Sequence, residues 1–141
     1  MLRRVDAAQA LADLTEISSQ VVQVAIVGAD GEVVASTIEP PARAARFVDA
    51  AARLAEEADA AAAVHGLPDV AQLEAVTLEG SVFVVRSPDG SGTTIAATTR
   101  PDPTVGLVFY DLKHCLRSIA EPAAEPVAAA PRRRTKTDGA A

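Results

Sequence analysis

The sequence predicts an α+β domain: one five-stranded antiparallel sheet with helices on both faces, in the order α-β-β-α-β-β-β-α. Three observations predict it. Runs rich in β-branched residues, too short to be helices, recur between turn residues. One long alanine-rich segment and two flanking segments carry helical spacing. Residues 82–85 are apolar at every position, so that strand must be covered on both faces.

The chain opens with apolar residues at Leu2, Val5, Leu11, Leu14 and Ile17, with Asp6, Asp13 and Glu16 between them. Steps of three place them on one face of a helix over 2–17, which Ser18 and Ser19 end. Val21–Val27 reads as the first strand and 32–38 as the second. Asp30-Gly31 between them supports a hairpin, because both residue types tolerate the turn's positive φ.

Pro41–Val64 is the long helix. Proline is tolerated in a first turn, whose N–H groups have no intrahelical partner, and Gly66 suits the far cap. Twenty-four residues span about 36 Å. At 100° per residue Phe47, Ala51, Leu54 and Ala58 share a face, widened by Val48 and Ala55, and this face is expected in the core. Arg46, Asp49, Arg53, Glu56 and Glu57 lie opposite, and Ala45, Ala52 and Ala63 form a small-residue seam between the two. Strands follow at 72–78, 81–86 and 93–99, with Glu79-Gly80 turning the first into the second. The last helix is predicted over 104–120, with Thr104 as its N-cap. Residues 1–120 are the predicted domain. Residues 121–141, rich in Pro and Ala, are predicted to be a disordered tail with a basic cluster at 132–136.

Composition narrows function. The net charge is −6, and the chain to Ala120 carries nine basic and sixteen acidic residues. Such a body is a poor match for nucleic acid, whose phosphates need clustered Lys and Arg. Aromatic content of 3% with no Trp leaves little to stack on bases. No apolar run is long enough to insert stably in a bilayer, and the start lacks a secretory h-region. One cysteine, Cys115, excludes an intramolecular disulfide, and a cytoplasmic location is expected. The P-loop pattern is absent, and the glycines at 90 and 92 join two strand-like runs instead of opening a helix. His65, His114 and Cys115 are too few for a structural zinc site. No catalytic group, metal or cofactor is expected.

The ordered set of segments resembles the roadblock / dynein light chain domain family, its bacterial members in particular. The residues that carry the resemblance are Leu11-x-x-Leu14-x-x-Ile17, Val24-Ala25-Ile26-Val27, Asp30-Gly31, the long alanine-rich helix, the hairpin over 73–85, and Gly106-Leu107-Val108. The resemblance implies a profilin-like fold. It also implies a homodimer in which third strands join edge to edge and long helices pair, with Ala45, Ala52, Leu73, Ala75 and Thr77 at the interface. A Ras-like small GTPase is the implied partner, met by Arg46, Asp49, Arg53, Glu56 and Glu57, and a sensor kinase of the same module is a further one. The role implied is regulation or adaptation, not catalysis. Two readings compete: a small-molecule sensory domain of the PAS or GAF kind, and a structural dimerisation adaptor without effect on a GTPase.

Overall fold

A computed structural model describes residues 6–120. Its elements are α1 (Ala7–Ile17), β1 (Val21–Val27), β2 (Val33–Ser36), α2 (Pro41–Val64), β3 (Gln72–Thr77), β4 (Gly80–Arg86), β5 (Thr94–Thr99) and α3 (Val105–Ala120). The predicted order holds. The first helix, predicted over 2–17, instead begins at Ala7, because Asp6 is extended and its side chain caps the helix start. Residues 1–5 and the tail predicted at 121–141 lie outside the described residues.

The strands form one antiparallel sheet in the order β2-β1-β5-β4-β3. The last strand of the chain thus lies in the middle, and β2 and β3 are its edges. One face carries α1 and α3. Their Leu11, Leu14, Val108, Leu112 and Leu116 close over Val24, Ile26, Phe83, Val85 and Ile95. Phe109 meets Phe83 edge-on at 4.9 Å between ring centres, a geometry that sets a ring's positive edge against the other's negative face. The other face carries α2. Ala44 and Val48 cover Ala25, while Ala51 and Ala55 cover Val84 and Ala96.

The helix ends follow their sequence signals. Asp6 caps α1 by accepting the Gln9 N–H, and the Ser18 N–H closes the other end on the Leu14 carbonyl. At the end of α2 the Gly66 N–H reaches the Ala63 carbonyl and the Leu67 N–H reaches that of Ala62. This double closure needs a left-handed residue between, and Gly66 supplies it at φ +70°. At the start of α3 the Leu107 and Val108 N–H groups share the Thr104 carbonyl.

The expected core face of α2 needs correction. Ala44, Val48, Ala51 and Ala55 are its buried residues. Phe47 is half-buried, Ala58 is partly exposed, and Leu54 is 37% exposed. The stripe facing the sheet is rotated because alanine at 44, 51 and 55 lets the backbone approach closely there, while a leucine would hold it away.

One ion pair fastens the far end of α2 to the sheet. Arg86 Nη1 and Nη2 donate to the two carboxylate oxygens of Asp59, each at 2.8 Å. Nη1 also donates to the Val70 carbonyl, and the Val70 N–H donates back to Asp59 Oδ1. The Arg86 guanidinium, and then the Val70 N–H, hold the Asp59 carboxyl below the usual carboxylate range. Cys115 lies in the α1–α3 layer, and burial pushes its thiol up to about 11, so it packs as a small apolar group.

Two measurements test this packing. Asp59→Asn should cost about 1.5–3 kcal/mol near neutral pH, because it breaks a two-pronged charged contact. Since the folded carboxyl is depressed, the wild-type advantage is full above the unfolded value of about 3.9 and lost as pH falls through the folded value. Urea unfolding of both proteins across acid pH should show the curves converging below that range. Separately, the buried Ser81 hydroxyl has no hydrogen-bond partner among the described residues. Ser81→Ala should therefore leave stability unchanged or raised within about 1 kcal/mol. Phe83→Ala beside it should lose about 3–5 kcal/mol.

Candidate partner-binding surfaces

The five charged residues predicted for a partner are all exposed on α2. They do not form one uniform face. Arg46, Asp49 and Glu56 line clefts beside the β1–β2 turn, whereas Arg53 and Glu57 line neither. Arg53 bonds to Asp49 one turn back. Asp49–Arg53 and Arg53–Glu57 are both spaced i, i+4, where opposite charges can pair, but among the described residues only the first pair forms. Both side chains are about two-thirds exposed or more, so the pair contributes about 0.3–0.5 kcal/mol.

The five residues predicted for a self-association surface separate into two groups. Leu73, Ala75 and Thr77 alternate along β3 on the side that faces α2. Leu73 pairs with Val84 and packs against the Ala51–Ala55 cluster. β3 bonds only to β4, so its outer edge is open among the described residues. Thr77 also holds the β3–β4 turn: its hydroxyl donates to the Gly80 carbonyl and accepts the Glu79 N–H. Ala45 and Ala52 sit on the opposite flank of α2, against Val27 and Gly31 of the β1–β2 hairpin. They cannot share one flat surface with β3. The other flank of α2 is that of Phe47, which packs against the same Ala51–Ala55–Val84–Ala96 cluster as Leu73 and Val82, and of Leu54, on the same helical face as Phe47.

Sequence reasoning missed three exposed residues around the β3 edge, of which Val76 lies on the sheet face opposite α2. Leu54 is partly exposed, Val76 is 72% exposed, and Leu78 is 98% exposed. A signal existed for the latter two: two large aliphatic residues at the end of a strand whose partner, β4, supplies its own buried face. Across the molecule, α3 shows Leu107 and Tyr110 to solvent, with Tyr110 stacked on His114 at 6.3 Å between rings.

On the flank of Ala45 and Ala52 lie two adjoining clefts of about 280 and 570 Å³. Val27, Val48 and Ala52 line both, and Ala51, Ala55, Val84 and Ala96 line the smaller alone. Asp30, Glu32, Asp49 and Glu56 stand along them. The hairpin wall is held in place by the β4–β5 loop. Gly92 lies at φ +82°, and a Cβ there would stand 2.7 Å from that of Ala29. Only glycine allows so close an approach. Within that loop Asp89 accepts from the Ser91 N–H and the Ser87 hydroxyl, contacts that keep its carboxyl below the usual range.

The described residues hold no group of three or more His, Cys, Asp or Glu placed to bind a metal ion. No described helix is long and apolar enough to cross a membrane. The arrangement therefore offers surfaces: a charged helix back, an open strand edge with apolar neighbours, and an acid-rimmed apolar groove.

No family model matches the chain, and no curated protein matches it. Solved structures do. A roadblock/LC7 domain from Streptomyces avermitilis superposes with a TM-score of 0.73 at 20% identity, covering 82% of this chain and 96% of that one. Myxococcus xanthus MglB gives 0.67 at 14% identity, covering 79% and 89%. A chain of the LokiProfilin1/rabbit actin complex gives 0.54 at 17% identity, covering 79% and 91%. Strand order, the two-sided helix cover and these superpositions agree, and the chain has the roadblock/LC7 fold, a profilin-like five-stranded sheet between helices.

Proposed function

We propose that this chain is a homodimeric, non-catalytic regulator or adaptor of a Ras-like small GTPase, acting in the cytoplasm within a signalling or polarity module. The observation that carries the reading is the roadblock/LC7 fold, with α2 bare along its charged back and β3 bare along its edge. The likeness to MglB supports a GTPase as the partner, since the bacterial family members that the sequence resembles bind such proteins. A sensor kinase of the same module is the second partner proposed.

For self-association, the proposal joins two copies along β3, with Leu73, Ala75 and Thr77 at the seam and Leu54 facing the other copy's α2. A bare edge presents unpaired N–H and C=O groups that a second β3 can satisfy. Leu54, Val76 and Leu78 then lose contact with water, which favours association by about 25 cal/mol for each Å² of apolar surface covered. Ala45 and Ala52 are left outside this interface by their place on the other flank.

For the GTPase, the proposal uses Arg46, Arg53 and Glu57, with Asp49 and Glu56 at the margin. Charges at the rim of an interface govern encounter rate and orientation more than residence time. Either accelerated hydrolysis or accelerated exchange would then come from charged contacts that reshape the GTPase's own residues.

Two experiments test this. Light scattering on the purified chain should give twice the 14.5 kDa monomer mass, and Leu54→Asp should give a folded monomer. A wild-type monomer at tens of micromolar would sink the dimer. The second experiment mixes the chain with a purified bacterial Ras-like small GTPase, loaded with GDP or with a GTP analogue, and follows binding and hydrolysis. Arg46→Glu together with Arg53→Glu should weaken binding about tenfold while the dimer persists. No binding in either nucleotide state would leave the structural adaptor as the reading.

A further inference from the structure

We infer that the chain's own C-terminal segment, residues 126–136, docks in the groove between α2 and the β1–β2 hairpin. Its apolar Pro126, Val127 and Pro131 would lie along the floor, and Arg132, Arg133 and Arg134 would meet the acidic rim. The inference concerns the chain alone and does not depend on the GTPase reading.

The groove has an apolar floor and an acidic rim. Val27, Val48 and Ala52 line it, and the helix side presents only small side chains at 51, 52 and 55. Around it stand Asp30, Glu32, Asp49 and Glu56, against Arg46 and Arg86. Arg86 is committed to Asp59, and Asp49 to Arg53. Asp30, Glu32 and Glu56 form no ion pair among the described residues, whereas Arg46 is the one cation of the rim outside those pairs. The rim is therefore net negative.

The tail has the complementary order. Residues 126–131 read Pro-Val-Ala-Ala-Ala-Pro, small and apolar, and three arginines follow at once. Of the chain's thirteen Lys and Arg, four lie at 132–136, against a body that is acidic.

The fold places the tail's origin at the same end of the sheet as the groove, on the opposite face. Arg100 N–H donates to the Gln20 carbonyl and Arg100 Nε to that of Ser19. The start of α3 therefore lies at the end of the sheet where β1 begins. From there α3 runs antiparallel to α1, against which it packs through Leu112, Cys115 and Leu116. Its sixteen residues rise about 24 Å, which matches the length of a seven-residue strand at about 23 Å. α3 thus ends at the other end of the sheet, where the β1–β2 turn and Arg86 stand. From Ala120 to Arg132 the chain can reach about 40 Å. The path around the sheet end crosses two layers of about 10 Å each. A tether this short presents the tail at an effective concentration on the order of millimolar, so even a millimolar contact is about half populated.

The test is amide NMR on the full-length chain, wild type against Arg132→Glu/Arg133→Glu/Arg134→Glu. Expected are shifts at Gly28, Asp30, Ala52 and Glu56, the same at every protein concentration. Raising ionic strength from about 0.1 to about 1 M, which cuts the screening length from about 10 to about 3 Å, should reproduce them. Glu56→Lys with Asp30→Lys, both at exposed positions, should release the wild-type tail and recapture the Glu-substituted one. Occupancy in each mismatched pairing should fall from about half to below about a tenth. Spectra that overlay at those four amides, or shifts confined to β3 or α3, would overturn the inference. So would shifts that fade on dilution, which would assign the groove to the tail of a second copy.

Discussion

The structure rests on a sheet whose central strands are apolar on both faces. Phe83, Val85 and Ile95 point one way, and Val84 and Ala96 point the other. Neither set can meet water without losing about 1.5–3 kcal/mol for each large side chain. Two layers of helix are therefore required. α1 and α3 share one face as an antiparallel pair, while α2 alone must cover the other. That asymmetry governs the rest of the molecule.

A single helix cannot cover five strands. α2 approaches closely through alanine at 44, 51 and 55, so its contact with the sheet is tight along its axis and thin at its flanks. One flank opens into the groove against the β1–β2 hairpin. The other leaves Leu54 and the edge strand β3 partly bare. Asp59 and Arg86 keep the far end of α2 from lifting, by a charged contact that spans helix, sheet and the chain entering β3. The bare surfaces thus follow from the way the core is covered.

Much of this was legible in the residues. Short β-branched runs, Asp30-Gly31, Glu79-Gly80 and Gly66 placed the strands, turns and caps within a residue or two. They act locally: a turn's φ and a cap's hydrogen bond are settled by neighbours in the chain. The exposed back of α2 was legible too, since Arg46, Arg53 and Glu57 cannot be buried unpaired. Less legible was which of two flanks faces which neighbour. Leu54 and Ala52 sit on either side of the same helix, and 100° spacing does not say what lies beside each. The Asp59–Arg86 contact, between residues twenty-seven apart, has no signature in spacing at all.

By itself the sequence determined the element order, the two-sided apolar demand of residues 82–85, and a chain with acidic body and basic end. Only the tertiary structure decided that β5 enters between β1 and β4, that β3 is an edge, and that Ala45 and Ala52 face the β1–β2 hairpin instead of β3. The reason is physical. Secondary structure and burial follow from short-range sterics and apolar area, which are written residue by residue. Strand order and helix rotation follow from which distant surfaces fit together, and that is a property of the packed chain.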